Sequence, residues 1–198
     1  QVEASSDDVG YYASQSMSGT RLNTRLEDLA ASITVVTKQQ LLDTAAVDIN
    51  DIFLYEANTE GMHQYTEFVQ DRAFYNEVTT LNPQSANRVR GVGAANMARG
   101  NFAASSSIPV DTYNIDSVEI SRGPNANIFG LGDASGTVNL VTMRANLDRE
   151  SLQTQVRGDS YGGWRANIDV NRPLIKDALG IRIAAVRESK GFERKPAS

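Results

Sequence analysis

The chain has 198 residues, of which 40% are hydrophobic and 22% charged, with 19 basic and 24 acidic side chains giving a net charge of −5. This balance is too polar for a helical membrane protein and too apolar for a disordered chain, and no apolar run approaches the roughly 20 residues of a spanning helix. No basic stripe is present, which argues against a nucleic-acid partner. The absence of cysteine and the single histidine, His63, remove thiolate chemistry and leave no recognisable zinc site.

Residues 1–24 are polar, rich in Ser, Asp, Thr and Gly, and read as an extended, mobile lead-in with few apolar anchors. The run Ser32–Thr37, S-I-T-V-V-T, predicts a β-branched strand. Thr37 with Gln40 forms a capping-box pattern that starts a helix from Lys38 to about Thr44. Asp48 and Asp51 repeat the signal for a second short helix, whose apolar face is Ile49, Ile52 and Phe53. Residues 57–87 show no period and read as a long functional or disordered segment. Arg88–Gly91 reads as a short strand ending in a turn, and residues 93–108 read as a loop. Ser117–Ser121 and Thr137–Thr142 alternate as strands. Between them lie Arg122-Gly123-Pro124, one helical turn and a Gly-rich loop. That loop matches no phosphate cradle: G-L-G-D-A-S-G lacks the G-x-G-x-x-G and P-loop spacings and precedes a strand. Neither a Ser-His-Asp set nor a catalytic carboxylate pair can be argued, so no enzyme activity is expected.

After about Asn146 the pattern changes. Trp164, Ala166, Ile168 and Val170 alternate with Arg165, Asn167, Asp169 and Asn171, and Leu152, Thr154 and Val156 alternate with Gln153, Gln155 and Arg157. Tyr161-Gly162-Gly163 predicts a hairpin turn, and Pro173–Gly180 a second connection before Ile181, Ile183 and Ala185. Taken alone, these strands fit a soluble meander with one solvated face better than a membrane barrel. Trp164 fits an interfacial aromatic and ordinary packing equally well.

The stretch Asp116–Arg144, D-S-V-E-I-S-R-G-P-N-A-N-I-F-G-L-G-D-A-S-G-T-V-N-L-V-T-M-R, resembles the signature of TonB-dependent receptor plugs. There an acidic-hydrophobic strand leads into R-G-P, an aromatic-Gly turn, a Gly-rich loop and a G-x-V-N-x-V-T strand. The matching motif positions include Glu119, Pro124, Gly130, Gly136, Asn139 and Thr142. Arg21–Thr37, Asp48–Phe53 and Val89-Arg90-Gly91 resemble further plug elements in the same order, and this context reverses the preference for a soluble meander.

The resemblance implies an α+β fold: a small mixed β-sheet plug with short helices and long loops, followed by antiparallel hairpins that begin a transmembrane β-barrel. It divides the chain into a lead-in at 1–24, a plug at 25–147 and first barrel strands at 148–198. It implies that Arg90, Gly91, Arg122 and Gly123 make plug–barrel contacts, the arginines facing carboxylates outside this segment and so under-paired within it, with guanidinium groups exposed or held by makeshift partners. Locally paired or solvated arginines are the alternative. Tyr75, Asn96, Arg99, Asn101 and Phe102 become candidates for contact with a small-molecule ligand, against the plainer reading that they solvate loops. Expected partners are a TonB-type energy transducer through the N-terminal segment, outer-membrane lipid and the ligand. Neither cofactor nor bound metal is expected. The function implied is energised uptake of a scarce nutrient, such as a ferric siderophore, cobalamin or glycan, at the bacterial outer membrane; the alternative is a non-transporting binding or signalling module. A plugged transporter barrel has about 22 strands, so with roughly three the chain reads as a piece of a longer receptor, or as a chain that does not transport alone.

Overall fold

The β-branched runs organise the fold. In the computed structural model, which describes residues 10–16, 24–28, 31–61, 87–105, 110–123 and 134–191, Ser32–Thr37 is a strand with the predicted bounds. It is the third strand in chain order, β3, after a two-residue ribbon of β1 (Gln15–Ser16) and β2 (Thr24–Arg25). Thr37 then caps helix α1 (Lys38–Asp43), its Oγ1 accepting from the Gln40 amide at 3.3 Å. Asp48 and Asp51 complete a reciprocal capping box on α2 (Ile49–Phe53).

A two-residue pair follows, β4 (Thr59–Glu60) against β5 (Arg88–Val89). β4 corrects the expectation that 57–87 lacks regular structure; residues 62–86 lie outside the described residues. The 93–108 segment, read as a loop, contains a hairpin of β6 (Asn96–Arg99) and β7 (Phe102–Ala103). Its turn residues Gly100 and Asn101 both have positive φ, at 57° and 68°, the twist that suits a two-residue hairpin. β8 (Ile115–Arg122) and β9 (Gly136–Thr142) extend the predicted strands by one or two residues. The sheet order is β3-β8-β9-β6-β7, antiparallel throughout except for the parallel β9–β6 pair. This is the mixed sheet of an α+β fold.

Register sorts the sheet's two faces. Val36, Val118, Ile120, Val138 and Leu140 fall on one face and join Leu41, Ile49, Ile52 and Phe53 of the helices in the buried core. The second face carries Glu119, Ser121, Thr137 and Asn139, all buried although polar. Part of the predicted lead-in docks in this unit. Ser16 is buried and hydrogen-bonded to Glu119, the Thr37 hydroxyl donates to the Gly10 carbonyl at 2.7 Å, and the Tyr11 hydroxyl donates to Asp43 at 2.9 Å. These hydrogen-bonding anchors are polar, and the buried apolar Ala13 is small, so the segment shows no large apolar anchor in sequence. Residues 1–9 and 17–23 lie outside the described residues.

Residues 1–142 form one compact unit and 143–198 a second. The second is an antiparallel sheet of β10 (Ser151–Gly158), β11 (Trp164–Ile175) and β12 (Leu179–Ser189). The Asp159 carboxylate closes the first turn by accepting from the Tyr161 and Gly163 amides, each at 2.8 Å. The second connection is shorter than predicted, because β11 runs through Pro173. That residue pairs with Gly180 beside a register shift, where a strand tolerates a missing N–H.

The polarity of this sheet is inverted relative to a soluble meander. Its exposed face is apolar, with Leu152, Val156, Ile168, Ile181 and Ile183 all exposed, Val156 at 78%. The opposite face is polar, and there Arg165, Asp169 and Asn171 are buried, Asn171 at 2%. Arg182 holds Asp169 in a two-pronged ion pair at 2.6 and 2.9 Å, and Arg165 lies 3.3 Å from Glu188. Apolar outside and polar inside is the pattern of a lipid-facing barrel wall. Trp164 and Tyr161 are exposed at one end of the sheet, where interfacial aromatics sit.

Candidate functional site: the Arg-Gly turns and the sheet they close

Arg88-Val89 ends at a turn because Arg90 and Gly91 both adopt left-handed backbone, with φ of 58° and 68°. For arginine this conformation is strained, and such strain is retained where the surroundings over-determine it. Here the Arg90 amide donates to the Asn58 carbonyl at 2.8 Å and the Val89 amide to the Gly93 carbonyl at 2.9 Å, which fixes the turn. The Arg90 side chain is exposed and extends alongside Gly123. Its one hydrogen bond among the described residues reaches the Ala134 carbonyl at 3.5 Å. Arg90, Gly91 and Arg122 line one open cleft of about 820 Å³ with Ser32, Asn58, Thr59 and Glu60. The two Arg-Gly turns, 32 positions apart in sequence, thus meet at one place.

Arg122 corrects the expectation of under-pairing. Its Nη1 donates to Thr34 Oγ1 at 2.6 Å, Nε to the Ala57 carbonyl at 3.0 Å and Nη2 to Glu56 Oε2 at 3.3 Å. The Arg122 and Glu56 side chains are 8% and 9% exposed. The guanidinium therefore ties β8 to β3 and to the loop after α2. Burial raises the Glu56 carboxyl above its ordinary value, and the Arg122 charge partly opposes that rise.

Two glycines of the motif have steric reasons. Gly123 has φ +105°, and Gly136 has φ +136° with no room for a side chain: a Cβ there would run into the Ser121 carbonyl oxygen and lie 3.2 Å from the Arg122 Cα. Gly136→Ala is expected to destabilise the sheet by about 1–3 kcal/mol from backbone strain alone. Hydrogen exchange of the Gly123 amide, which donates to the Ser135 carbonyl at 3.3 Å, should accelerate with it. Unchanged protection would show that the backbone at Gly136 accepts a side chain without strain.

Glu119 and Asn139 stand opposite each other in the β8–β9 register. Asn139 Nδ2 donates to Glu119 Oε2 at 2.7 Å, and Ser16 Oγ donates to Glu119 Oε1 at 2.8 Å. Asn139 also donates to Asn101 Oδ1 at 2.8 Å and accepts from the Asn101 amide at 2.9 Å. The half-buried Asn101 therefore directs its side-chain oxygen and its backbone N–H toward Asn139. Nothing near Ser16 in the sequence signals its bond to Glu119, because that partner lies 103 positions away. Of the other ligand candidates, Arg99 and Phe102 are exposed at the hairpin and Asn96 is half-buried. Thr142 is exposed at the end of β9. Tyr75, Pro124, Gly130 and His63 lie outside the described residues.

A mixed sheet closed by paired Arg-Gly turns, with a polar second face and a following sheet of inverted polarity, defines a plug domain leading into barrel strands. The chain belongs to the TonB-dependent receptors: the model of the TonB-dependent Receptor Plug Domain matches residues 25–137. The metal-pseudopaline receptor CntO of Pseudomonas aeruginosa is 32% identical over 185 residues, covering 92% of this chain and 24% of the relative. The catecholate siderophore receptor Fiu of Escherichia coli K12 is 22% identical over 193 residues, covering 94% of this chain and 23% of the relative. Among solved structures, the alcaligin outer-membrane receptor FauA of Bordetella pertussis shares the fold with a TM-score of 0.73 at 20% identity, over 90% of this chain and 30% of that one. The ferripyoverdine receptor of P. aeruginosa gives a TM-score of 0.69 at 20% identity, over 95% and 24%. The chain spans about a quarter of the length of the curated relatives it matches.

Proposed function

We propose that this chain is the plug and first barrel strands of an outer-membrane transporter that takes up a metal chelate of the siderophore or metallophore type. The inverted polarity of β10–β12 carries the reading: a sheet that exposes leucine, valine and isoleucine while burying arginine and aspartate is stable facing lipid on one side and a polar lumen on the other. The names of the relatives, a metal-pseudopaline receptor and a catecholate siderophore receptor, support a chelated metal as cargo. In this reading the plug fills the barrel lumen. The exposed Arg90 guanidinium, with donors to spare, engages a carboxylate of the barrel wall, while Arg122 holds the cleft's internal frame. Gly91 and Gly123 let the backbone turn at that contact. The exposed Arg99 and Phe102, with Asn96, offer charge, aromatic surface and hydrogen bonds to the chelate. The N-terminal segment is the handle for a TonB-type partner.

The test is uptake by cells producing the full-length chain, with two probes: zinc-loaded pseudopaline and a ⁵⁵Fe-loaded catecholate. Accumulation of at least one probe is expected, abolished by deletion of TonB and reduced severalfold by the Arg99→Ala, Phe102→Ala double variant. Binding without any TonB-dependent accumulation of either probe would contradict transport of this cargo class.

A further inference from the structure

Residues 143–150 join β9 to β10 and form neither helix nor strand, yet their backbone is tightly held. Connections ordinarily run over the surface, where water serves the backbone groups. Here side chains of β11 and β12 serve them. Asn171, 2% exposed, accepts from the Asn146 amide at 2.8 Å and donates to the Asn146 and Arg149 carbonyls at 3.0 and 2.6 Å. Arg182 stands opposite Asn171 in the β11–β12 register. Its two-pronged pair with Asp169 fixes the guanidinium, and the remaining Nη1 donates to the Arg144 carbonyl at 3.0 Å. The turn after β11 adds the Asp177 amide, which donates to the Leu147 carbonyl at 3.4 Å. Asn146 folds back on its own chain, its Oδ1 accepting from the Asp148 and Arg149 amides at 2.8 and 2.9 Å. Gly180 makes the room: a Cβ there would lie 3.0 Å from Leu147 Cδ2 and 3.2 Å from the Ala145 Cβ.

We propose that Asn171 and Arg182 clamp this connecting segment to the β11–β12 hairpin, making it a fixed stop that keeps rearrangement of residues 1–142 from loosening β10. The boundary between the two compact units falls at Thr142, ahead of the segment, so the segment belongs with the sheet that holds it. Releasing it would strand the buried Asn171 amide, and a buried polar group left without its partners costs more than a bond never made. The clamping groups are placed in advance, Asn171 by its strand and Arg182 by Asp169, so little side-chain freedom is lost in gripping. The exposed pairs Lys176–Asp148 and Arg172–Glu150, each at 3.5 Å, add little to the grip. Without the clamp, a pull on Thr142 would pass along an untied chain to Ser151, the first residue of β10. The clamp rests on contacts within residues 143–198 and holds whatever the cargo, so a failed uptake assay and a failed clamp are separate outcomes.

The experiment is hydrogen exchange on the full-length chain reconstituted in lipid. Two plug variants, Gly136→Ala and Arg122→Ala, supply the disturbance. Residues 152–156 of β10 are the reporter, and residues 183–186 of β12 are the reference for the sheet itself. With the clamp intact, either plug variant should accelerate exchange across β8 and β9 and leave the reporter unchanged. Two further variants open the clamp by different routes: Asn171→Ala removes its bonds, and Gly180→Val wedges the segment away with Asn171 intact. Each should accelerate exchange at the Asp148 and Arg149 amides at least threefold and leave the reference unchanged. Combining either with a plug variant should then accelerate the reporter at least threefold beyond the product of the single effects. A reporter that already responds to the plug variants with the clamp intact, effects that merely multiply, or acceleration of the reference equal to that of the segment would each overturn the clamp.

Discussion

Replacing Arg122 with alanine is expected to destabilise the plug by about 3–5 kcal/mol, the range for stranding one partner of a buried ion pair. The substitution removes hydrogen bonds to Thr34, Ala57 and Glu56 together and leaves the Glu56 carboxylate buried against a void. An exposed pair would give only about 0–1 kcal/mol. Native-state hydrogen exchange of the β8–β9 amides reads the difference, and a loss below about 1 kcal/mol would return Arg122 to the exposed, externally paired role that the sequence first suggests. Arg122→Lys should recover part of the loss, since it keeps the charge without the planar fork that reaches three acceptors. A pH signature accompanies this. Because the folded Glu56 carboxyl lies above its ordinary 4.5, its contribution to stability is fully present below pH 4.5 and is lost as the pH rises through the folded value. Glu56→Gln should abolish that loss.

Ile168→Arg should cost about 2–4 kcal/mol of barrel stability, as a charge placed on the lipid face near the bilayer midplane does. Ile168 is exposed on the apolar face of β11, whereas its neighbour Asn167 lies on the polar face and donates to Gln155 at 3.1 Å. Asn167→Ser, one position away, should cost far less. The fraction of full-length receptor assembled in the outer membrane separates the two. Equal assembly of both variants would show that the apolar face of β11 does not meet lipid.

Local chemistry explains what the sequence made legible. S-I-T-V-V-T and T-V-N-L-V-T are β-branched runs bounded by turn residues, and both are strands. Asp48 and Asp51 cap a helix through side chains within three positions of each other. What escaped depends on distance or on weak local signals. The Arg122 partners Thr34 and Glu56 lie 88 and 66 positions away, so nothing near the motif reveals that the guanidinium is already engaged. The β6–β7 hairpin has strands too short and too rich in small residues to show a period, yet the Gly100-Asn101 pair was a usable turn signal. Pro173 marks the start of a connection in the sequence, yet β11 continues through it because the register shift beside it absorbs the missing ladder donor. Alternation along β11 was legible, but which face meets solvent was not. Period two looks the same in a soluble meander and a barrel, and exposure of the apolar side decides between them.

The most direct measurement is a spin-label scan along β11 in the full-length chain, reconstituted in lipid. These 198 residues contain no cysteine, so each thiol introduced from Arg165 to Asn171 is unique among them. Labels at Ala166, Ile168 and Val170 should collide with apolar oxygen and be shielded from a water-soluble nickel chelate, while labels at Arg165, Asn167, Asp169 and Asn171 should show little oxygen contact, giving a strict period of two. Ready access of the nickel chelate at Ala166, Ile168 and Val170 would mean that this face meets water, and the chain would then not begin a membrane barrel.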